Sequence, residues 1–139
     1  MKKYRNYFKD SNEGLIKNWP VEFELYGWLV KMKNGGSLKP HMHDNGWLSG
    51  SVYINIPKKN KPDSGNLVLS NDYDKTHPAY TPPKKKLFSF LSKNKRQIRN
   101  IDLKTGNLCL FPSSLLHHTV PFESEEDRIV LAFDVVSKS

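Results

Sequence analysis

The sequence lacks most features of membrane, disulfide-rich and helical proteins. Its 139 residues include one cysteine, Cys109, so no disulfide can form within the chain. No apolar run approaches the ~18 residues that a membrane helix needs. The basic N-terminus is not followed by the apolar segment of a secretory signal. We therefore expect a cytoplasmic protein with no membrane partner.

Acidic residues are also scarce, with 14 Asp and Glu against 22 Lys and Arg, which gives a net charge of +8. Half of the basic residues lie between Lys58 and Arg99, a stretch with only three acids. Because such a segment attracts anions, an acidic substrate or partner is one hypothesis. A solvated loop is the more ordinary interpretation. No base-stacking motif accompanies the charge, so we expect no nucleic-acid partner. The sequence does not determine whether the protein forms an oligomer.

Short apolar–polar alternations recur along the chain, whereas helical periodicity is almost absent. About eight strand-like segments are separated by turn signals, and this spacing is typical of an all-β sandwich or barrel. We predict an arm or short helix over residues 1–20 and one β domain over residues 21–139. A basic loop is predicted at about 71–95 within that domain.

Three histidines in two strand-like blocks are the strongest indication of chemistry. His41 and His43 are two residues apart, a spacing at which side chains point to the same face of a strand. His117 lies in the second block, after a glycine turn at Gly106 and a corner at Pro112. Imidazole commonly binds iron and zinc, and three ligands on one face leave open positions, as in catalytic sites. We predict that these three histidines form a catalytic metal centre.

Asp44 competes with His43 as the third ligand, because iron centres often combine two histidines with one carboxylate. Asp44 is three residues from His41, which places the two on opposite faces of a regular strand. Only a bulge or a turn would bring its carboxylate into the centre. His118 points away from His117 in an extended backbone and is not a predicted ligand.

Arg128 opens the last strand-like segment, after the acidic loop at 123–127. A guanidinium that faces into a barrel is costly unless it has an anionic partner. A carboxylate is its best bidentate ligand. Two interpretations follow: a salt bridge to the nearby acids, or a clamp for the carboxylate of a small cosubstrate.

Together these blocks resemble a family of 2-oxoglutarate- and Fe(II)-dependent oxygenases over residues 19–136. The resemblance rests on four segments: His41-Met42-His43, Ser-Gly-x-x-Tyr at 49–53, Phe-Pro-Ser-x-Leu-x-His at 111–117, and Arg128-Ile129. It implies a double-stranded β-helix, or jelly-roll, fold and a dioxygenase that hydroxylates an unknown substrate. It also implies Fe(II) as the metal, 2-oxoglutarate as the cosubstrate and Arg128 as the ligand of its distal carboxylate. Tyr53 or Ser49 would add a hydroxyl to that carboxylate.

Two other functions fit parts of the pattern. A cupin-type metalloenzyme would use a three-histidine centre without 2-oxoglutarate, since the Gly106–Pro112–His117 spacing is also similar to a cupin motif. That function would leave Arg128 without a ligand. A non-catalytic β-sandwich that binds a sugar or a protein would use the histidines as packing or surface groups.

Overall fold

The computed structural model describes residues 2–71 and 98–138. Two short helices come first, α1 (Lys2–Tyr7) and α2 (Gly14–Lys17). The strands that follow are β1 (Phe23–Met32), β2 (Leu38–His41), β3 (Leu48–Asn55), β4 (Leu67–Ser70), β5 (Ile98–Ile101), β6 (Leu108–Pro112), β7 (Leu116–Thr119) and β8 (Arg128–Ser137). The loop predicted at about 71–95 lies outside the described residues except for its first residue.

The strands form two four-stranded sheets, in the orders β1-β8-β3-β6 and β2-β7-β4-β5. Every strand pairing in the described residues is antiparallel. The chain crosses repeatedly from one sheet to the other, as in a jelly roll. The predicted all-β, double-stranded β-helix fold is therefore confirmed.

Strand β8 lies in the interior of the first sheet and sets the position of several side chains. It pairs with β1 from Met32↔Arg128 to Phe23↔Ser137, and on its other side it pairs with β3. Gly50 of β3 allows the Phe133 ring of β8 to pack against its backbone, because a Cβ there would lie 2.2 Å from Cζ of that ring. With hydrogen bonds on both edges, β8 is a rigid support for the residues that it carries.

The hydrophobic core lies between the sheets. Its buried members are Tyr53, Leu67, Leu103, Phe111 and Val130. All except Leu103 also line the cavity that holds the candidate site. The packed core therefore fixes the walls of that cavity.

The N-terminal helices pack near the start of β3. Ile16 of α2 is buried, and the Trp19 ring meets the Trp47 ring edge-on, with their centroids 4.6 Å apart. No helix in the described residues is long and apolar enough to span a membrane.

Candidate active site

His41, His43 and His117 lie together in the cavity between the two sheets. His41 ends β2 and is the direct strand partner of His117 on β7. One ring nitrogen from each of the three side chains lies within 4.8 Å of the others. Among the described residues, no other group of three metal-ligating side chains is this close. The three residues predicted as metal ligands are thus neighbours in space.

Two of these rings are oriented by the backbone. Nδ1 of His41 is 2.8 Å from the carbonyl oxygen of Lys39, and Nδ1 of His117 is 3.1 Å from that of Leu115. A carbonyl can only accept, so both Nδ1 atoms carry the proton and both Nε2 atoms keep a lone pair. This is the tautomer that binds a metal through Nε2. Burial lowers the pKa of His117 to about 4, so its ring is neutral at neutral pH.

His43 is oriented differently from the other two histidines. It lies beyond the end of β2, where the N–H of Gly46 donates to its carbonyl at 3.3 Å. The two-residue spacing along a strand is therefore not what aims its ring. The carboxylate of Asp134 does so, since both of its oxygens lie 2.7 Å from Nδ1 of His43.

Sequence reasoning missed Asp134, because it is 91 residues from His43. One signal was available. Alternate residues of β8 lie on one face of the strand, and this face carries Arg128, Val130, Ala132 and Asp134. The first three of these residues line the cavity. An acid at the end of an inward-facing row was a candidate for the site.

Serine hydroxyls support Asp134. Oγ of Ser49 lies 2.6 Å from Oδ1 of Asp134 and 2.9 Å from Oγ of the fully buried Ser113. A hydroxyl has one proton, and the shorter, charge-assisted contact assigns that of Ser49 to the carboxylate. Ser49 was predicted to bind a cofactor, and the structure places its hydroxyl on Asp134, beside the histidines.

Asp44 lies apart from the three histidines. Its side chain is exposed, and it does not belong to the group of ligand atoms. The turn after His43 does not bring its carboxylate into the cavity, whose lining residues do not include it.

Asp44→Asn is therefore expected to leave metal affinity within about twofold of the parent, because exposed polar substitutions away from a site have small effects. Anaerobic Fe(II) titration of both proteins measures this. A loss of tenfold or more would show that Asp44 is a ligand, as in the alternative set with His41 and His117.

Arg128 is buried, with 3% of its surface exposed. Its guanidinium carbon lies 5.3 Å from the centre of the Tyr53 ring, and Nη1 is 3.9 Å from Sδ of Met32. Its Nε has no hydrogen-bond partner in the part of the chain that the structure describes. Asp127 pairs with Lys31 at 2.8 Å, and no described carboxylate forms an ion pair with Arg128. The salt-bridge interpretation therefore has no support in the described residues.

One cavity contains both the histidines and Arg128. Tyr53 and Ser49 line it too, as do apolar side chains that include Trp28, Val30 and Leu67. Burial raises the pKa of Tyr53 to about 12, so its hydroxyl is protonated and can donate. The cavity thus combines three nitrogens that could hold a metal, one cation without an anion among the described residues, and largely apolar walls.

The family described as "Putative 2OG-Fe(II) oxygenase" matches residues 26–134 of this chain. The chain belongs to this family. The matched segment contains the three histidines, Arg128 and Asp134. Membership confirms the resemblance seen in the sequence, and with it the expected cofactor pair of the family, Fe(II) and 2-oxoglutarate.

Solved structures of such oxygenases share the fold of this family member. A prolyl-4-hydroxylase from Pseudomonas putida is 17% identical, with a TM-score of 0.57, and the match covers 100% of this chain and 63% of that one. The viral collagen prolyl hydroxylase of Paramecium bursaria chlorella virus 1, as a truncated form, is 15% identical, with a TM-score of 0.58 and coverages of 99% and 66%. HygX from Streptomyces hygroscopicus, with nickel and 2-oxoglutarate bound, is 15% identical, with a TM-score of 0.52 and coverages of 84% and 58%.

At these identities the likeness shows the fold alone. The chain spans roughly three-fifths of the length of the solved structures that it matches. No curated protein matches the sequence.

Proposed function

We propose that this protein is an Fe(II)- and 2-oxoglutarate-dependent dioxygenase that hydroxylates a substrate still to be identified. One observation carries the proposal: three histidines line the same cavity as a buried arginine that has no anionic partner among the described residues. The three histidines could bind a metal, and Arg128 could bind the distal carboxylate of a small dicarboxylate. A cosubstrate that bridges the two would satisfy both groups at once.

The histidine group fits Fe(II) by its donor chemistry. His41, His43 and His117 offer neutral imidazoles, which iron accepts as ligands. With three protein ligands, the centre would keep open positions for a chelating cosubstrate and for oxygen. When bound, iron would supply the oxidising chemistry that inserts an oxygen atom into a C–H bond of the substrate.

Arg128 would hold the distal carboxylate of 2-oxoglutarate. Its unpartnered Nε lies in a site where burial makes an isolated cation costly, so an anion that enters would satisfy it. Of the two predicted hydroxyl donors, Tyr53 is favoured, because its ring lies against the guanidinium whereas Ser49 donates to Asp134. A protonated Tyr53 could donate to the same carboxylate.

The remaining cavity residues would exclude water and contact the substrate. Val30, Phe111 and Val130 form apolar walls, and such walls strengthen electrostatic interactions within a site. Trp28 is 40% exposed, and its ring centre lies 5.6 Å from that of His43. This indole is therefore placed where a substrate would pass on its way to the metal. The acidity of the substrate stays a prediction.

Anaerobic titration of 2-oxoglutarate into the Fe(II)-loaded protein tests the proposal. A visible metal-to-ligand charge-transfer band that saturates with the cosubstrate is expected. If iron binds and no band appears, a cupin-type three-histidine enzyme becomes the better description. If iron does not bind, the chain is better described as a β-sandwich binding module.

The cupin-type alternative is favoured by one specific observation. The group of ligand atoms contains three histidines and no carboxylate among the described residues. It gives no role to the buried Arg128, which forms no ion pair with a carboxylate of the described residues, and this is why we place it second.

A further inference from the structure

Among the described residues, the candidate metal centre contains no negatively charged ligand. All three members of the group are histidines, and a histidine that binds a metal through one ring nitrogen and keeps the proton on the other adds no charge to the centre. A divalent ion in such a set would retain its full charge inside a largely apolar cavity. A carboxylate near the ligands would offset that charge.

Asp134 is the acidic side chain in contact with this group. Its carboxylate is 15% exposed, and its recorded ion pair within the described chain is with His43. His41 and His117 use the carbonyl two residues before them as the partner of Nδ1, whereas His43 uses this carboxylate. His43 is thus the one ligand whose partner carries a full charge.

The support behind Asp134 is rigid. Its backbone pairs with Tyr26 on one side and Ser49 on the other, within the first sheet. The Ser49 hydroxyl then fixes one carboxylate oxygen at 2.6 Å. By contrast, His43 lies outside the strands, and its backbone N–H donates to the Ser113 carbonyl at 3.1 Å. The carboxylate therefore connects a ligand on a turn to the interior of a sheet.

We infer that Asp134 is the positioning residue of this metal centre, fixing the ring of His43 and supplying, through its Nδ1–H, the negative charge that the ligands lack. The inference rests on the proposed function, since it assumes that the histidines bind a metal. The carboxylate would act on the ion through its hydrogen bond to Nδ1 of His43 and through the ring of that ligand. Outer partners of this kind orient the ring and raise the basicity of the ligand nitrogen.

Asp134→Asn tests the inference, because it keeps the shape and an acceptor oxygen but removes the charge. Fe(II) and Co(II) affinities are measured anaerobically from quenching of tryptophan fluorescence, with Trp28 close to His43 as a reporter. We expect affinity to fall about 10- to 100-fold, with a changed visible spectrum of the Co(II) form. Ser49→Ala, which frees one oxygen of the carboxylate, is expected to weaken affinity about fivefold.

Asp127→Asn is the matched control, since its carboxylate pairs with Lys31 and lies outside the cavity lining. It should leave affinity and spectrum unchanged. Circular dichroism melting of the metal-free proteins reports whether each variant folds. In a His43→Ala background, Asp134→Asn should have no further effect if it acts through His43.

The outcomes separate this inference from the proposed function. If the parent binds neither metal, the proposed function fails. Equal affinities of the folded Asp134→Asn variant and the parent would overturn the role of Asp134 alone. A further loss in the His43→Ala background would also overturn it, because Asp134 would then bind the ion directly.

Discussion

Arg128→Met is expected to abolish 2-oxoglutarate binding while leaving the metal-free protein at least as stable as the parent. Truncating one partner of a buried charge pair costs about 2–5 kcal/mol, so cosubstrate affinity should fall by about 30-fold or more. The guanidinium is buried, and its Nε lacks a hydrogen-bond partner among the described residues. An apolar side chain of similar length removes that desolvation cost. Titration of 2-oxoglutarate and thermal unfolding measure the two effects.

Two observations would check the interpretation of Arg128. Fe(II) affinity without cosubstrate should stay within about twofold of the parent, since the arginine does not touch the histidine group. Arg128→Lys should recover part of the binding, because it restores the charge but not the planar fork. A strongly destabilised Arg128→Met variant would instead mean that the arginine is a structural residue.

His117→Ala is expected to lower metal affinity by at least about 100-fold, more than the loss of an outer partner causes. The ring is buried, neutral and oriented by the Leu115 carbonyl, so its Nε2 is ready to bind. Without it the centre keeps two histidines. The protein should also lose cosubstrate turnover. Anaerobic Fe(II) titration followed by a succinate assay measures both.

His118→Ala is the matched control, because it removes an imidazole one residue away. His118 alternates to the other face of β7, where it is the strand partner of Val68, and it is not part of the metal-binding group. Its replacement should leave metal affinity within about twofold of the parent. Equal losses from the two variants would mean that the effect comes from disturbing β7 rather than from losing a ligand.

The strands could be predicted from the sequence because their signals are local. The apolar–polar alternation that ends before the turn at Asn34-Gly35 is a local signal for β1, and the β-forming run that stops at Pro57 is one for β3. A side chain in a strand faces in or out according to its position, but the alternation in β1 does not identify the buried face, since Leu25 and Leu29 are 61% and 62% exposed whereas Val30 lines the cavity. Arg128 also had a local signal, because it is a charged residue at the start of the apolar row of β8 that faces the cavity.

The site was partly predictable for a similar reason. The His-x-His block and the block that ends at His117 lie on β2 and β7 or directly beside them, and these strands pair with His41 opposite His117. Each block could be recognised from its own residues, and the family resemblance assigned both blocks to one metal centre. It could not show what orients His43, because that residue lies on a turn.

The sequence by itself determined which segments form strands, which family the chain belongs to, and which histidines and which arginine line the cavity. These depend on residue type and spacing along the chain. Only the tertiary structure decided that His43 rather than Asp44 joins the group, that Arg128 has no anionic partner within the described residues, and that Asp134 supports His43. The physical reason is that hydrogen bonds and ion pairs are set by distances of about 3 Å. Such contacts form between strands that are far apart in sequence, and no local sequence pattern encodes which residues will meet.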